Sequence, residues 1–403
     1  MKRLVVYCPG YDLRPANLSF RLIRSEFGKF IRLHELTGSL GDIREGLDPG
    51  GSTATWSGHM DWPEGSVSTR FVQLGWHDVI RPDFQRTWLR TVRDALVSFH
   101  RYARAGGYRA VFKSNRWHAL FCLYPAVGIG LYLAACLLPP LLLAPAVLAR
   151  AEAVAPQGLE DPVAWAVLLA ASGFWMAGVH VLMRWLEPRT YFRYLVNSWH
   201  FMSRLANGEH SPMQARIEEF ADLIVSLEEE AKEDEDFVFV SHSCGTFVAI
   251  YVLAAVLARK PEIVRRPGGF AFVTLGPAFD CLGGFGTGGG YSQAMTAVAR
   301  SGVDWTDLYG PHDMICGGRT DPVARYALPV PAERRLPEPR RFSVCIPDRM
   351  PERTFRRIRF RFFQLHFCYF FASIRPGLFD FYRLTFGRKR ATEQLEAWAA
   401  GRD

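Results

Sequence analysis

The chain has 403 residues, 49% hydrophobic and 22% charged, with a formal net charge of +8. That length suits one large domain with an insertion or two ordinary domains, and the composition excludes a disordered chain. The eight cysteines form no CxxC pair or paired-finger spacing, which points away from zinc and toward reduced, buried thiols in a cytosol-facing protein.

The N-terminus, MKRLVVYCPGYD, has an apolar run too short for a signal-peptide core, so no secretory leader is expected. Residues 5–8 predict a strand closed by Pro9-Gly10, and residues 16–36 predict a helix. Residues 38–65, rich in Gly, Ser, Thr and Asp, read as surface loop. Residues 69–76 predict a second strand and residues 82–105 an amphipathic helix.

The composition changes abruptly at residue 118. Residues 118–149, HALFCLYPAVGIGLYLAACLLPPLLLAPAVLA, carry no formal charge beyond His118, and a second apolar run, VAWAVLLAASGFWMAGVHVLM, covers residues 163–183. Each exceeds the roughly 20 helical residues that cross a hydrocarbon core of about 30 Å. A soluble domain rarely needs helices that are apolar on every face. Transmembrane helices over residues 118–149 and 163–186 are therefore expected, rather than two buried core helices. Pro139, Pro140 and Pro145 should kink the first helix or end it early. His180, deep in the second run, reads as a histidine paired with neighbouring backbone rather than a proton site. Arg109, Lys113 and Arg116 precede the pair and Arg184, Arg189 and Arg193 follow it, whereas the linker RAEAVAPQGLEDP carries one arginine against three acids. The positive-inside rule puts both flanks in the cytoplasm and the linker outside. The membrane insertion, residues 111–206, then interrupts one cytoplasmic domain made of residues 1–110 and 207–375, followed by a basic tail over 376–403.

Residues 189–204 mix aromatic and basic side chains as an interfacial helix does. A helix opened by Ser-Pro is expected over 211–233, its acidic end a solvated one. Strands are expected at 237–241, 270–275, 303–309 and 342–346, with a helix over 245–259 between the first two. Strands alternating with helices predict an α/β fold with a mostly parallel sheet flanked by helices. FDCLGGFGTGGGY, residues 279–291, lacks the Lys-Ser/Thr of a phosphate loop and reads as a mobile loop near the mouth of a site or as a plain flexible loop with no gating role.

DFVFVSHSCGTFVAIYVLAAVL, residues 236–257, carries the chemistry. It begins as a short apolar strand, ends as a long apolar helix, and has Ser243 at the corner. A small residue two positions to either side, here Ser241 and Gly245, lets a serine sit on a tight turn with its hydroxyl clear of the sheet. The same turn aims the N–H of Cys244 where an oxyanion is favoured by the donor and by the helix dipole.

VFVSHSCG followed by that helix resembles the nucleophile elbow of the α/β-hydrolase superfamily. The resemblance covers residues 2–105 and 211–371 but not the apolar pair. It implies an acid and then a histidine downstream of the serine. Asp313, in VDWTDLYGPHDMICGG, lies beyond the C-terminal end of a strand, where open parallel sheets keep their sites; Asp307, inside that strand, and the more distant Asp321 are its competitors. His366, in RFRFFQLHFCYFFASI, is the expected base. His312 is too near the acid in sequence, and His242 must point away from the serine. The exit loop of the first strand, with Gly10 allowing close approach, should supply Tyr11 N–H as the second oxyanion donor beside Cys244.

The resemblance implies a serine hydrolase that forms an acyl-enzyme, with no cofactor and no metal. The apolar pair argues for a substrate in the bilayer, so the expectation is a membrane-anchored esterase or lipase acting on acyl lipids. An acyl-thioesterase or acyltransferase with the same triad and an inactive hydrolase-fold membrane scaffold are the alternatives. RTFRRIRFRFFQ, residues 353–364, and RLTFGRKR, residues 383–390, interleave arginine with phenylalanine and suit anionic headgroups rather than nucleic acid. The protein is expected in the inner (cytoplasmic) membrane, its catalytic domain facing the cytoplasm.

Overall fold

Runs of β-branched and aromatic residues build the sheet at the centre of this chain, whose computed structural model describes residues 1–46, 52–153, 156, 160–318, 320–331 and 335–401. In chain order come β1 (Lys2–Cys8), α1 (Ala16–Leu33), β2 (Thr37–Leu40), β3 (Arg44–Glu45), β4 (Ala54–Trp62), β5 (Gly65–Gln73), α2 (His77–Gln85), α3 (Trp88–Arg104), α4 (Gly107–Ser114), α5 (Arg116–Glu152), α6 (Glu160–Thr190), α7 (Phe192–Ala206) and α8 (Ser211–Glu230). Then follow β6 (Asp236–His242), α9 (Cys244–Arg259), β7 (Phe270–Leu275), α10 (Phe279–Leu282), α11 (Gly290–Arg300), β8 (Asp304–Tyr309), α12 (Pro322–Tyr326), β9 (Arg340–Ser343), α13 (Glu352–Ile358), α14 (Phe362–His366), α15 (Phe381–Phe386) and α16 (Ala391–Ala399). The strands order as β2-β4-β5-β1-β6-β7-β8-β9, with β3 on β4. From β5 to β9 every pairing is parallel. β2, β3 and β5 pair antiparallel to β4, so the sheet is mixed but mostly parallel.

The strands near the centre are buried on both faces, which is why they read as continuous apolar runs. Val5, Tyr7, Val238, Val240, Val273 and Leu308 share a core with residues of α1, α15 and α16. The alternate set, Leu4, Val6, Phe237, Phe239 and Phe272, is equally buried on the opposite face. Phe239 and Phe272 meet there with ring centroids 5.4 Å apart.

Two segments depart from expectation for identifiable reasons. Residues 38–65 are not loop but largely β2, β3 and β4. Their polar composition hides an alternation, with Ala54, Trp56, Gly58 and Met60 buried while the intervening Thr55, Ser57, His59 and Asp61 are half-buried or exposed. Trp56 stacks on Phe71 of β5 at 5.2 Å. Residues 47–51 of that stretch lie outside the described residues. The single helix expected over 82–105 is two, α2 starting at His77 and α3 at Trp88. The Thr87 hydroxyl accepts from Arg90 N (3.4 Å) and opens α3, so a local side-chain bond replaces helix continuity.

The C-terminal segment expected as a basic tail folds instead. Phe379, Phe381, Leu384, Phe386, Leu395 and Trp398 join the core, because apolar residues at helical spacing outweigh the arginines between them. Residues 279–291 likewise contain α10 and the start of α11, and Phe279, Cys281, Leu282, Phe285 and Tyr291 are buried rather than forming a free loop. β9 sits two residues earlier than expected at its start, Arg340–Ser343.

The chain divides into two compact units, residues 1–85, 101–121 and 201–403, and residues 86–100 and 122–200. The second unit holds most of α5 and α6. Both helices are long and apolar enough to cross a membrane, and 6% and 0% of their most apolar windows are buried. That exposure removes the buried-core explanation: Leu142 is 76% and Phe174 85% exposed. α5 runs through Pro125, Pro139, Pro140 and Pro145 to Glu152, so of the two outcomes expected of the prolines, a kink or an early end, the early end does not occur. Trp175 Nε1 donates to Ala135 O (2.8 Å) and Tyr124 OH to Thr190 O (3.1 Å), tying the two helices together. His180 packs its ring 5.7 Å from that of Trp88. Of the linker between the helices, residues 154–155 and 157–159 lie outside the described residues.

The starts of β1 and β6 are joined by a buried ion pair, Arg3 Nε to Asp236 Oδ2 at 2.7 Å, both side chains 0% exposed. Arg3 also donates to the carbonyls of Leu384, Gly387 and Lys389, and Ala391 N donates to Asp236. The pair therefore locks the C-terminal segment to the sheet. Removing one partner strands the other charge, so Asp236→Ala should cost about 3–5 kcal/mol, read as a lowered unfolding midpoint in detergent.

Candidate active site

β6 carries Ser243 to the C-terminal edge of the sheet. Ser243 has φ 58° and ψ −133°, one of four non-glycine residues with positive φ among those described. Such a conformation costs on the order of 1–3 kcal/mol and persists only where its surroundings hold it. Ser243 N donates to Leu275 O (3.0 Å). Thr246 Oγ1 donates to Ser243 O (2.6 Å) and accepts from Ala278 N (3.1 Å). A Cβ at Gly245 would lie 2.3 Å from Pro9 O, and one at Gly10 would lie 2.9 Å from Ser243 Cβ and 3.3 Å from its Oγ. The exit loop of β1 thus packs directly against the serine, and glycine at 10 and 245 is a matter of space. Ser241, the small residue on the other side, is buried and donates from Oγ to Val273 O (3.3 Å).

Asp313 and His366 meet as expected. His366 Nδ1 donates to Asp313 Oδ2 at 2.6 Å, and both side chains are almost wholly buried. Asp313 also accepts from Tyr369 OH (3.2 Å) and Ile315 N (3.0 Å). Pairing at Nδ1 sets the tautomer of the neutral ring and leaves Nε2 as the lone-pair nitrogen. Nε2 is buried and has no hydrogen-bond partner, so Ser243 Oγ is not bonded to it in this arrangement. A Cβ on Gly276 would stand 3.1 Å from His366 Cε1, which brings the exit of β7 against the imidazole.

The competing residues are committed elsewhere. Asp307 accepts from Thr274 Oγ1 (2.5 Å) within the sheet. Asp321 caps α12 by accepting from Val323 N (2.9 Å). His312 packs on Phe355. His242 is held by His366: its Nε2 donates to His366 O (3.0 Å), and its ring lies 4.6 Å from that of His366. Burial, and next the adjacent His366, hold its pKa well below the ordinary imidazole value, so His242 is a neutral support.

Contacts with the Tyr11 backbone and the Ser243 side chain favour the thiolate of Cys244. Burial dominates those contacts and pushes the thiol pKa up to about 12, which keeps it neutral. The Tyr11 side chain anchors the loop through its OH to Asp83 Oδ2 (2.8 Å).

Several residues of the site escape a reading of motifs. Tyr369 and Gly276 have no motif signal. His118 reads only as the edge of an apolar run. Its Nδ1 donates to Met314 O (2.9 Å), the residue after Asp313, and its Nε2 contacts Cys281 Sγ at 3.3 Å. Nitrogen and sulfur are metal-ligand types; here they satisfy each other. A second serine–histidine–carboxylate group lies in the other unit, where Ser98 Oγ is 3.0 Å from His200 Nδ1 and His200 Nε2 is 3.7 Å from Asp94. Ser98 sits inside α3 and donates to Asp94 O (2.8 Å), and Asp94 is shared with Arg86 and Arg93. No strained turn presents that hydroxyl, so this group is a structural network.

No family model, curated protein or solved structure matches the chain. The meaning of the site therefore rests on its geometry.

Asp307 is fully buried, and burial raises its carboxyl pKa from 3.8 to about 7 against the opposing effects of Thr274 and Arg341. With the folded value above the unfolded one, both states hold the proton below about pH 4. Between pH 4 and 7 only the unfolded chain releases it, so stability falls through that window and levels off above it. Asp307→Asn should remove this contribution. Melting curves from pH 4 to 8 should show a steeper loss in the wild type than in the variant.

Proposed function

We propose that this chain is a membrane-anchored serine hydrolase of the α/β-hydrolase type that cleaves acyl esters of lipids. The observation that carries the reading is His366: bound by Asp313 through one nitrogen, it has a buried, unpartnered second nitrogen on the sheet edge that also carries the strained Ser243. A buried imidazole nitrogen without a partner is costly in a structure and useful as a base.

In the reaction, the Ser243 hydroxyl leaves the Cys244 sulfur and reaches His366 Nε2. His366 takes its proton as Oγ bonds to the acyl carbon. The carbonyl oxygen becomes an oxyanion facing the N–H groups of Tyr11 and Cys244. His366 passes its proton to the departing alcohol, and water, deprotonated by the same nitrogen, hydrolyses the acyl-enzyme. Asp313 holds the tautomer and stabilises the imidazolium. Tyr369 supports the carboxylate, and no cofactor enters. α5 and α6 as a transmembrane hairpin would keep the site at the interface where acyl lipids reside. Arginines on both flanks of the pair favour a cytoplasmic active site.

One observation favours a second reading, an inactive scaffold: the serine–histidine bond is unformed. A fluorophosphonate probe separates the two. Labelling of the folded wild type that disappears in Ser243→Ala supports the hydrolase, and an unlabelled wild type supports the scaffold. For the hydrolase, Asp313→Asn should lower kcat by about 10⁴-fold. Intact turnover in that variant would remove Asp313 from the triad. Gly10→Ala, which pushes a methyl against Ser243, should slow labelling by about 100-fold, the cost of misplacing a reacting group by roughly 1 Å.

A further inference from the structure

We propose that residues 352–362, spanning α13 and the start of α14, form a docking surface for an anionic lipid bilayer. The proposal rests on the reading of α5 and α6 as membrane spans, and it stands whether or not Ser243 reacts.

The segment, ERTFRRIRFRF, holds five arginines against one glutamate, and all five are exposed. Glu352 is taken up by Arg356 at 2.5 Å. Arg353, Arg357, Arg359 and Arg361 have no acidic partner among the described residues, although the surface elsewhere pairs many of its arginines. The inner side of the segment is fixed to the fold, since Ile358 and Leu365 are buried. The outer side presents Phe360, 73% exposed, and Phe362, 40% exposed. The Arg359 guanidinium lies over the Phe360 ring, 4.7 Å from its centroid. A solvated basic face has no use for two projecting phenylalanines. A headgroup region satisfies both classes, with phosphate oxygens for the guanidinium forks and an apolar boundary for the rings. Nucleic acid offers the same phosphate chemistry, but a chain with two exposed apolar helices of spanning length already lies beside a bilayer. α14 ends at His366, so the surface leads, one helical turn on, to the unpartnered imidazole. It would set the mouth of the site against the lipid leaflet.

The test uses the full chain in nanodiscs of phosphatidylcholine alone or with phosphatidylglycerol, and a benzophenone amino acid at Phe360. Lipid adducts at that position are expected in the anionic discs and should be scarce in the neutral ones. Arg357→Glu with Arg359→Glu should cut them by about tenfold or more, each basic residue near an anionic surface being worth roughly fivefold. The same crosslinker at Leu142 in α5 should keep its lipid adducts in that variant, which establishes that the chain is still inserted. Equal adducts in neutral and anionic discs would overturn the proposal, as would none in either. Adducts to a second copy of the chain would replace it with a self-association surface, and loss of adducts on adding a DNA duplex would replace it with a nucleic-acid surface. A Ser243→Ala chain should crosslink like the wild type, so failure of this surface and failure of the hydrolase reading are read separately.

Discussion

The turn at Ser243 is the constraint on which the site depends. A β-carbon in the left-handed half of backbone space is unfavourable by itself, and the chain holds it there by making every neighbour small or hydrogen-bonded. Leu275 O takes the serine N–H, Thr246 clasps the serine carbonyl, and Gly10 and Gly245 leave room for two loops to cross. The close approach of Gly10 and Gly245 depends on β1 and β6 being adjacent and in register, with Cys8 opposite Ser241, and the Leu275 contact on β7 lying beside β6. The strain is local, and its support comes from the sheet.

The two ends of the sheet handle charge differently. At the strand starts, Arg3 and Asp236 are buried together and share backbone partners from the C-terminal segment, an arrangement that holds the fold and leaves little to react. At the strand ends, Asp313 is also buried and well bonded, yet its partner His366 keeps one nitrogen idle. Each end leaves one buried polar atom without a partner, Asp236 Oδ1 at the strand starts and His366 Nε2 at the strand ends.

The apolar helices follow a different logic. In a protein surrounded only by water, side chains such as Leu142 and Phe174 would be covered. Both helices are long and apolar enough to cross a membrane, and a bilayer would cover these side chains. The proposed reaction fits such a setting, since an acyl lipid can reach a site at the interface without first dispersing in water.

Much of the arrangement was legible in the residues. The central strands declared themselves because burial on both faces demands unbroken apolar runs, and the elbow because a serine flanked by small residues at a strand-to-helix corner has few other uses. Asp313 and His366 were legible by their order after the serine and their places beyond a strand and before an aromatic turn. β4 was not: half of its residues face outward, so its polar composition masks a period of two that only pairing with β5 makes decisive. The C-terminal helices were misjudged because the basic cluster Arg388-Lys389-Arg390 between them stands out in the sequence, while Phe381, Leu384, Phe386, Leu395 and Trp398 do the packing. Tyr369, Gly276 and His118 came from distant parts of the chain, and nothing local marks a residue that acts by touching another's carboxylate, ring or loop. By itself, then, the sequence determined the central sheet, the two long apolar helices and the strand-to-helix corner at Ser243, because these follow from periodicity, length and local turn chemistry. Only the tertiary structure decided that Asp313 takes His366 Nδ1 and leaves Nε2 unpartnered, because both depend on distances between loops that no stretch of sequence contains.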